Sequence, residues 1–239
     1  MAVRDLVFLG ASTAFAEISE VVHDLNRVEP RYRIVAALDD DAALHGGTLA
    51  GGVPVAGGLD RVGDFPDALL VFGIGSFRTR MVRWEILRRL GVPDERFATL
   101  VHPGAKVYPG ARVGPGCVLH SGVVVGNDVA VEPFAIITFN TVVGPYSRIG
   151  RCAMVTSSAV VLTGVEIGPC AFIGAGSCLA EGVRIGPGAM VGMATTVHRS
   201  VGPGAFVLGN PARVLYSVKV PAGIMDGWDP APAGKGQSS

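Results

Sequence analysis

Two histidines, His102 and His120, stand 18 residues apart in this chain, and so do two cysteines, Cys152 and Cys170. An imidazole accepts a proton well at neutral pH because its pKa lies near the operating pH, so the histidines are the first candidates for a general base. His120 is the candidate base, and a packed ladder of the two rings is the alternative. Between these pairs lies VVGPYSRIG, Val142 to Gly150, with no histidine, carboxylate or thiol. Tyr146 within it can donate a hydrogen bond, but a phenol is a poor base at neutral pH. The four cysteines (Cys117, Cys152, Cys170, Cys178) form no C-x-x-C, so they are expected to be reduced and packed, with no metal site.

A second set of candidates lies in loops. Gly10-Ala11-Ser12, Leu38-Asp39-Asp40 and Gly73-Ile74-Gly75-Ser76 each follow a strand-like apolar run, and ligands of parallel sheets sit beyond the carboxyl ends of the strands. The predicted substrate-binding set is Gly10, Ala11, Ser12, Asp39, Asp40, Gly73, Gly75 and Ser76. G-A-S-T-A-F is not a G-x-G-x-x-G, so the prediction rests on three converging loops and not on a motif.

The elements that must position these residues have two different periods. Up to residue 100, strand-like runs (LVFLG, RIVAALDDD, ALLVFGIGS) alternate with helical spacing (ASTAFAEISEVVHDLNRV, TRMVRWEILRRLGV), which predicts a small α/β unit with a parallel sheet. From Val101 to Val197 an aliphatic residue recurs at every sixth position, 17 times in succession. The position four further on is small, as at Ala105, Ala111, Cys117, Ser147, Ala153 and Ala171. One large and one small inward residue per six suit a narrow three-faced prism with tight corners. Each coil then takes about 18 residues, and successive coils stack at about 4.8 Å.

The hexads, the stretch LVHPGA (Leu100 to Ala105) and the stretch FVLGNPARVL (Phe206 to Leu215) resemble hexapeptide-repeat acyltransferases with a left-handed β-helix. With the preceding Rossmann-like α/β unit, the chain is similar to bacterial sialic-acid O-acetyltransferases and bacillosamine-type aminosugar N-acetyltransferases. The resemblance implies a homotrimer with acetyl-CoA or another acyl-CoA lying between neighbouring β-helices. It also implies a small-molecule acceptor, such as a nucleotide sugar. In that family the catalytic turn reads like V-G-H-D, and its histidine deprotonates the acceptor. The matching turn here is Val143-Gly144-Pro145-Tyr146, with Pro145 in the histidine's place. A second family histidine matches Met154, and one in the first loop matches Ala14. Asn140 matches an asparagine that precedes the turn. The amide of Thr163 matches the donor to the thioester carbonyl, and Ala175, Gly176, Met193, Gly209, Asn210 and Pro211 match pantetheine contacts. Arg213 matches a cation near the nucleotide phosphate.

The expectation is therefore an acyl-CoA-dependent O- or N-acyltransferase with an altered base, or a silent homologue that binds through the same cleft. The expected domains are 1-100 (α/β, acceptor-binding), 101-215 (coil) and 216-239 (tail, with the last ten or so residues mobile and Trp228 pinning the part before). Lys plus Arg equals Asp plus Glu at 20 each, with no basic block, which disfavours nucleic acid and acidic membrane surfaces as partners. The first apolar stretch is short and carries Asp5, so a cytoplasmic location is expected.

Overall fold

The structure, a computed structural model, describes residues 2–229. Its first part is a sheet made of β1 (Arg4–Leu9), β2 (Tyr32–Leu38), β3 (Thr48–Leu49), β4 (Val53–Gly57) and β5 (Leu69–Phe72), in the order β3-β4-β2-β1-β5. All pairings are parallel except β3 with β4. Leu6 to Leu9 are wholly buried, as expected for a central strand covered on both faces.

Helix α1 (Thr13–Val28) begins at Ser12, whose side chain accepts from the Ala14 N–H. It buries Phe15, Ile18, Val22 and Leu25 on one stripe. It ends at Glu29, held extended before Pro30. Helix α2 (Val82–Leu90) ends at Gly91 in the left-handed conformation (φ 59).

The rest is a left-handed β-helix of two-residue strands on three faces. One face runs through Val124–Val125, Val142–Val143, Val160–Val161 and Cys178–Leu179, each in register with the residue 18 positions on. A second carries Arg112–Val113, Ala130–Val131, Arg148–Ile149, Glu166–Ile167 and Arg184–Ile185. The third starts at Leu100–Val101 and ends in the antiparallel pair Ala205–Leu208 and Arg213–Ser217. In each pair the second residue points inward, which makes the hexad aliphatics one continuous core. Val107, on the lowest coil, is still 37% exposed, because a prism cannot cover its own end.

The three faces differ outside. The third is covered by the α/β part: Val118, Ile136 and Met154 pack with Phe8, Phe15 and Ile18. The second is a charge ladder, with Arg148 bonded to Glu132 (3.1 Å) and Arg184 to Glu166 (2.7 Å). The first presents valines to solvent, Val142 at 40% and Val160 at 37% exposure.

Polar contacts fasten the two parts together. The fully buried Arg83 of α2 donates to the carbonyls of Phe134 (2.8 Å) and Cys152 (2.6 Å). Arg151 grips Asp94 with both terminal nitrogens (2.6 and 2.8 Å), and His102 Nε2 meets Asp24 at 2.9 Å. The first strand of the coil straddles residues 100 and 101, and the last hairpin strand runs past 215 to Ser217. Trp228 is ordered against Arg184, 4.6 Å from its guanidinium, while the expected mobile end falls outside the described residues.

Candidate functional site

The three N-terminal loops do meet. The Ala11 N–H donates to Asp39 Oδ2 (2.7 Å), and Ser12 Oγ donates to the Gly73 carbonyl (2.6 Å), which ties the ends of β1, β2 and β5 together. Gly10 has φ 106, and a Cβ there would run into Ile74, so this close pairing of loops requires glycine. Gly75 lies against the coil, where its Cβ would stand 3.2 Å from Met154 Cε, and Ser76 closes a turn with Thr79 (Oγ to Oγ1 3.0 Å).

Beside these loops is a cavity of about 400 Å³ lined by Gly10, Asp39, Asp40, Ile74, Glu85 and Arg89. Both acidic residues are already engaged. Asp39 Oδ1 accepts from the Asp41 N–H (2.9 Å), while Asp40 accepts from the Leu59 N–H (3.0 Å) and from Arg89 (2.6 Å). Burial alone would raise the Asp40 pKa, but the Arg89 and Leu59 hydrogen bonds outweigh it and hold the carboxyl below its usual range. The apolar spacing of α2 predicts its buried stripe but not that its polar face, with Glu85 and Arg89, forms the cavity wall.

On the coil, the chemically interesting residues divide between two edges of the valine face. His120, Asn140, Ala175, Gly176 and Met193 each follow a strand of the covered face and stand at the first edge, where the chain turns onto the valine face. Gly209, Asn210 and Pro211 follow Leu208 at the same edge, and Arg213 is exposed on the final strand. Tyr146 and Thr163 follow valine-face strands and stand at the opposite edge. A single chain therefore separates the two groups by a whole face.

At the second edge Gly144 lets the coils close up: a Cβ there would lie 2.9 Å from the Thr163 nitrogen and 2.8 Å from the Leu162 carbonyl carbon. The Gly164 N–H donates to the Pro145 carbonyl (2.9 Å), whereas the Thr163 N–H, at an exposed corner, has no partner among the described residues. Tyr146 is 68% exposed with φ 60, a left-handed value it shares with other third-position corner residues such as Asn140 and Cys152.

At the first edge Asn140 Oδ1 is folded over Gly122, one coil below. His120 is 1% exposed, its ring 4.6 Å from that of Phe139, and its Nδ1 has no hydrogen-bond partner. Burial, with the neighbouring His102 charge second, lowers its pKa to about 4. Met193 is 72% exposed. A cavity of about 570 Å³ at the end of the coil is lined by His198, Arg199, Pro211, Ala212 and Val214. The sequence reading passed over His198 and Arg199, although a basic pair directly after the last hexad was visible.

The thiols are free, with Cys117, Cys152 and Cys170 buried. No group of three or more potential ligands is placed to hold a metal among the described residues. No helix there is long and apolar enough to cross a membrane.

Comparison with family models and with curated proteins finds no match. Among solved structures, the chain is similar to perosamine N-acetyltransferase from Caulobacter crescentus. In one such structure it bears a histidine-to-asparagine substitution and is in complex with CoA and GDP-perosamine; the identity is 26%, the TM-score 0.76, and the match covers 90% of this chain and 99% of that one. Another structure of the C. crescentus protein, PerB with CoA and GDP-perosamine, is 27% identical with a TM-score of 0.74, covering 89% and 98%. The acetyltransferase domain of PglB from Neisseria gonorrhoeae shares the fold at 24% identity and a TM-score of 0.76, covering 89% and 100%. These likenesses match the small α/β part followed by the left-handed coil.

Proposed function

We propose that the protein is an acyl-CoA-dependent acyltransferase, acetyl being the favoured group, that acts on an amine or hydroxyl of a sugar carried by a nucleotide. It works as a homotrimer whose transfer sites lie between copies. The observation that carries this reading is the division of the site between the two edges of an exposed valine face. Packing copies through that face buries its apolar residues and brings the Tyr146 and Thr163 edge of one against the Asn140, Ala175 and Met193 edge of the next. The perosamine N-acetyltransferase structures, with CoA and GDP-perosamine, support the choice of both ligands.

In this reading residues 1-100 hold the acceptor nucleotide in the cavity beside Asp39 and Asp40, 101-215 form the transfer coil, and 216-239 follow as a tail. Ala175, Gly176, Met193 and Gly209 to Pro211 line the pantetheine path, and Arg213 answers the nucleotide phosphate. The free Thr163 N–H donates to the thioester carbonyl oxygen and stabilises it as charge builds. The acceptor nitrogen or oxygen attacks the carbonyl carbon, a C–N or C–O bond forms, and the C–S bond breaks with its electron pair leaving on coenzyme A sulfur. The acceptor's proton passes to a base, for which His120 is proposed with Asn140 and Tyr146 as hydrogen-bonding neighbours; the thiolate takes up a proton as it leaves.

A second reading, a silent homologue that binds both ligands without transfer, is favoured by one feature: Pro145 stands in the turn where an imidazole is expected. Titration with coenzyme A and with nucleotide-linked aminosugars, alongside thiol release from acetyl-CoA, separates the two. Thiol release that depends on the acceptor supports the transferase; binding of both ligands without release supports the silent homologue, and failure to bind coenzyme A removes both.

A further inference from the structure

Beyond the hairpin, the chain runs back down the prism along the seam between the coil and α2. The Val218 N–H donates to the Gly204 carbonyl (3.0 Å), and Val220 Cγ2 stands 3.2 Å from where a Cβ of Gly188 would be. Ile224 is fully buried in a cluster that joins Ile86 and Leu87 of α2 to Phe134, Cys152 and Cys170 of the coil corners. Trp228 then closes onto Arg184 on the charged face.

What the strap touches matters because Ile86 has two roles. It packs in the cluster with Ile224, and it also lines the 400 Å³ cavity, one turn from Arg89, which holds Asp40. A close-packed aliphatic side chain at such a three-way seam transmits displacement, since α2 cannot shift without opening a void around it. We propose that Ile224, with the segment Val218 to Trp228, is a positioning residue: it fixes α2, and through α2 the wall of the acceptor cavity, against the transfer coil. The substrate this wall serves rests on the function proposed above; the mechanical role of the strap does not.

The test compares Ile224→Asp with the conservative Ile224→Val in the full-length protein. In Ile224→Asp the KM for a nucleotide-linked aminosugar is expected to rise about tenfold or more, with coenzyme A affinity within about twofold and Ile224→Val restoring KM. An unchanged KM overturns the proposal, and so does a parallel loss of coenzyme A affinity, which would mark general unfolding. Amide exchange supplies a readout that needs no turnover: Val82–Leu90 should lose protection in Ile224→Asp while the coil keeps it. Equal protection in both variants overturns the strap, whereas exchange that responds in a protein without transferase activity would overturn only the assigned reaction.

Discussion

At the scale of single residues, burial decides what His120 can do. With its pKa lowered to about 4, it is neutral at pH 7 and able to accept a proton, though weakly. If it is the base, the acid limb of kcat/KM should fall near pH 4 and not near 6.5. His120→Ala or Asn140→Ala should then lower transfer by about 10²-fold or more, with Pro145→Ala within a few fold. Full turnover in both the His120 and Asn140 variants, measured by thiol release, would remove the residue assignment. The same group has a stability consequence. Between pH 6.5 and 4 the unfolded chain holds the extra proton, so the stability present above pH 6.5 is lost as pH falls toward 4. Denaturant titration should show wild type losing about 3 kcal/mol relative to His120→Phe between pH 7 and pH 4.

At the scale of the element, the corner geometry separates what Tyr146 does for the fold from what it does for chemistry. From Gly110 to Ala194 each coil corner places its third residue in left-handed backbone, with glycine at Gly110, Gly164 and Gly182 but tyrosine at 146. Tyr146→Gly should therefore stabilise the protein by about 1 kcal/mol, read as a higher midpoint of unfolding, because it relieves the Cβ clash at φ 60. Tyr146→Phe should leave stability unchanged and test only the hydroxyl. A destabilised Tyr146→Gly would mean that the ring, despite its 68% exposure, is packed against a neighbouring copy.

At the scale of the whole molecule, the proposed trimer rests on one exposed face. The covered face is occupied by the α/β part and the charged face by its own ion pairs, which leaves Val142 and Val160 open between the two edges. Replacing both valines with aspartate should convert the expected trimer to monomers in light scattering and weaken coenzyme A binding at least about tenfold. Nucleotide binding beside Asp40 should be spared, because that cavity is built within one chain. A wild-type monomer at micromolar concentration would remove the trimer.

The coil was legible in the sequence because its side chains obey a strict period: Val143, Ile149 and Val155 point inward wherever the hexad places them. The meeting of the three N-terminal loops was legible too, since parallel strands bring their carboxyl ends together. The structural partners within those loops were not: the oxygens of Asp39 and Asp40, both in the predicted substrate-binding set, also hold the Ala11 and Leu59 amides and Arg89. The wall supplied by Glu85 and Arg89, the depth to which His120 is sunk against Phe139, and the seating of Ile224 behind α2 come from packing between segments far apart in the chain. A local period says which way a side chain points, but only the docking of one element on another decides whether water reaches it and which groups it faces.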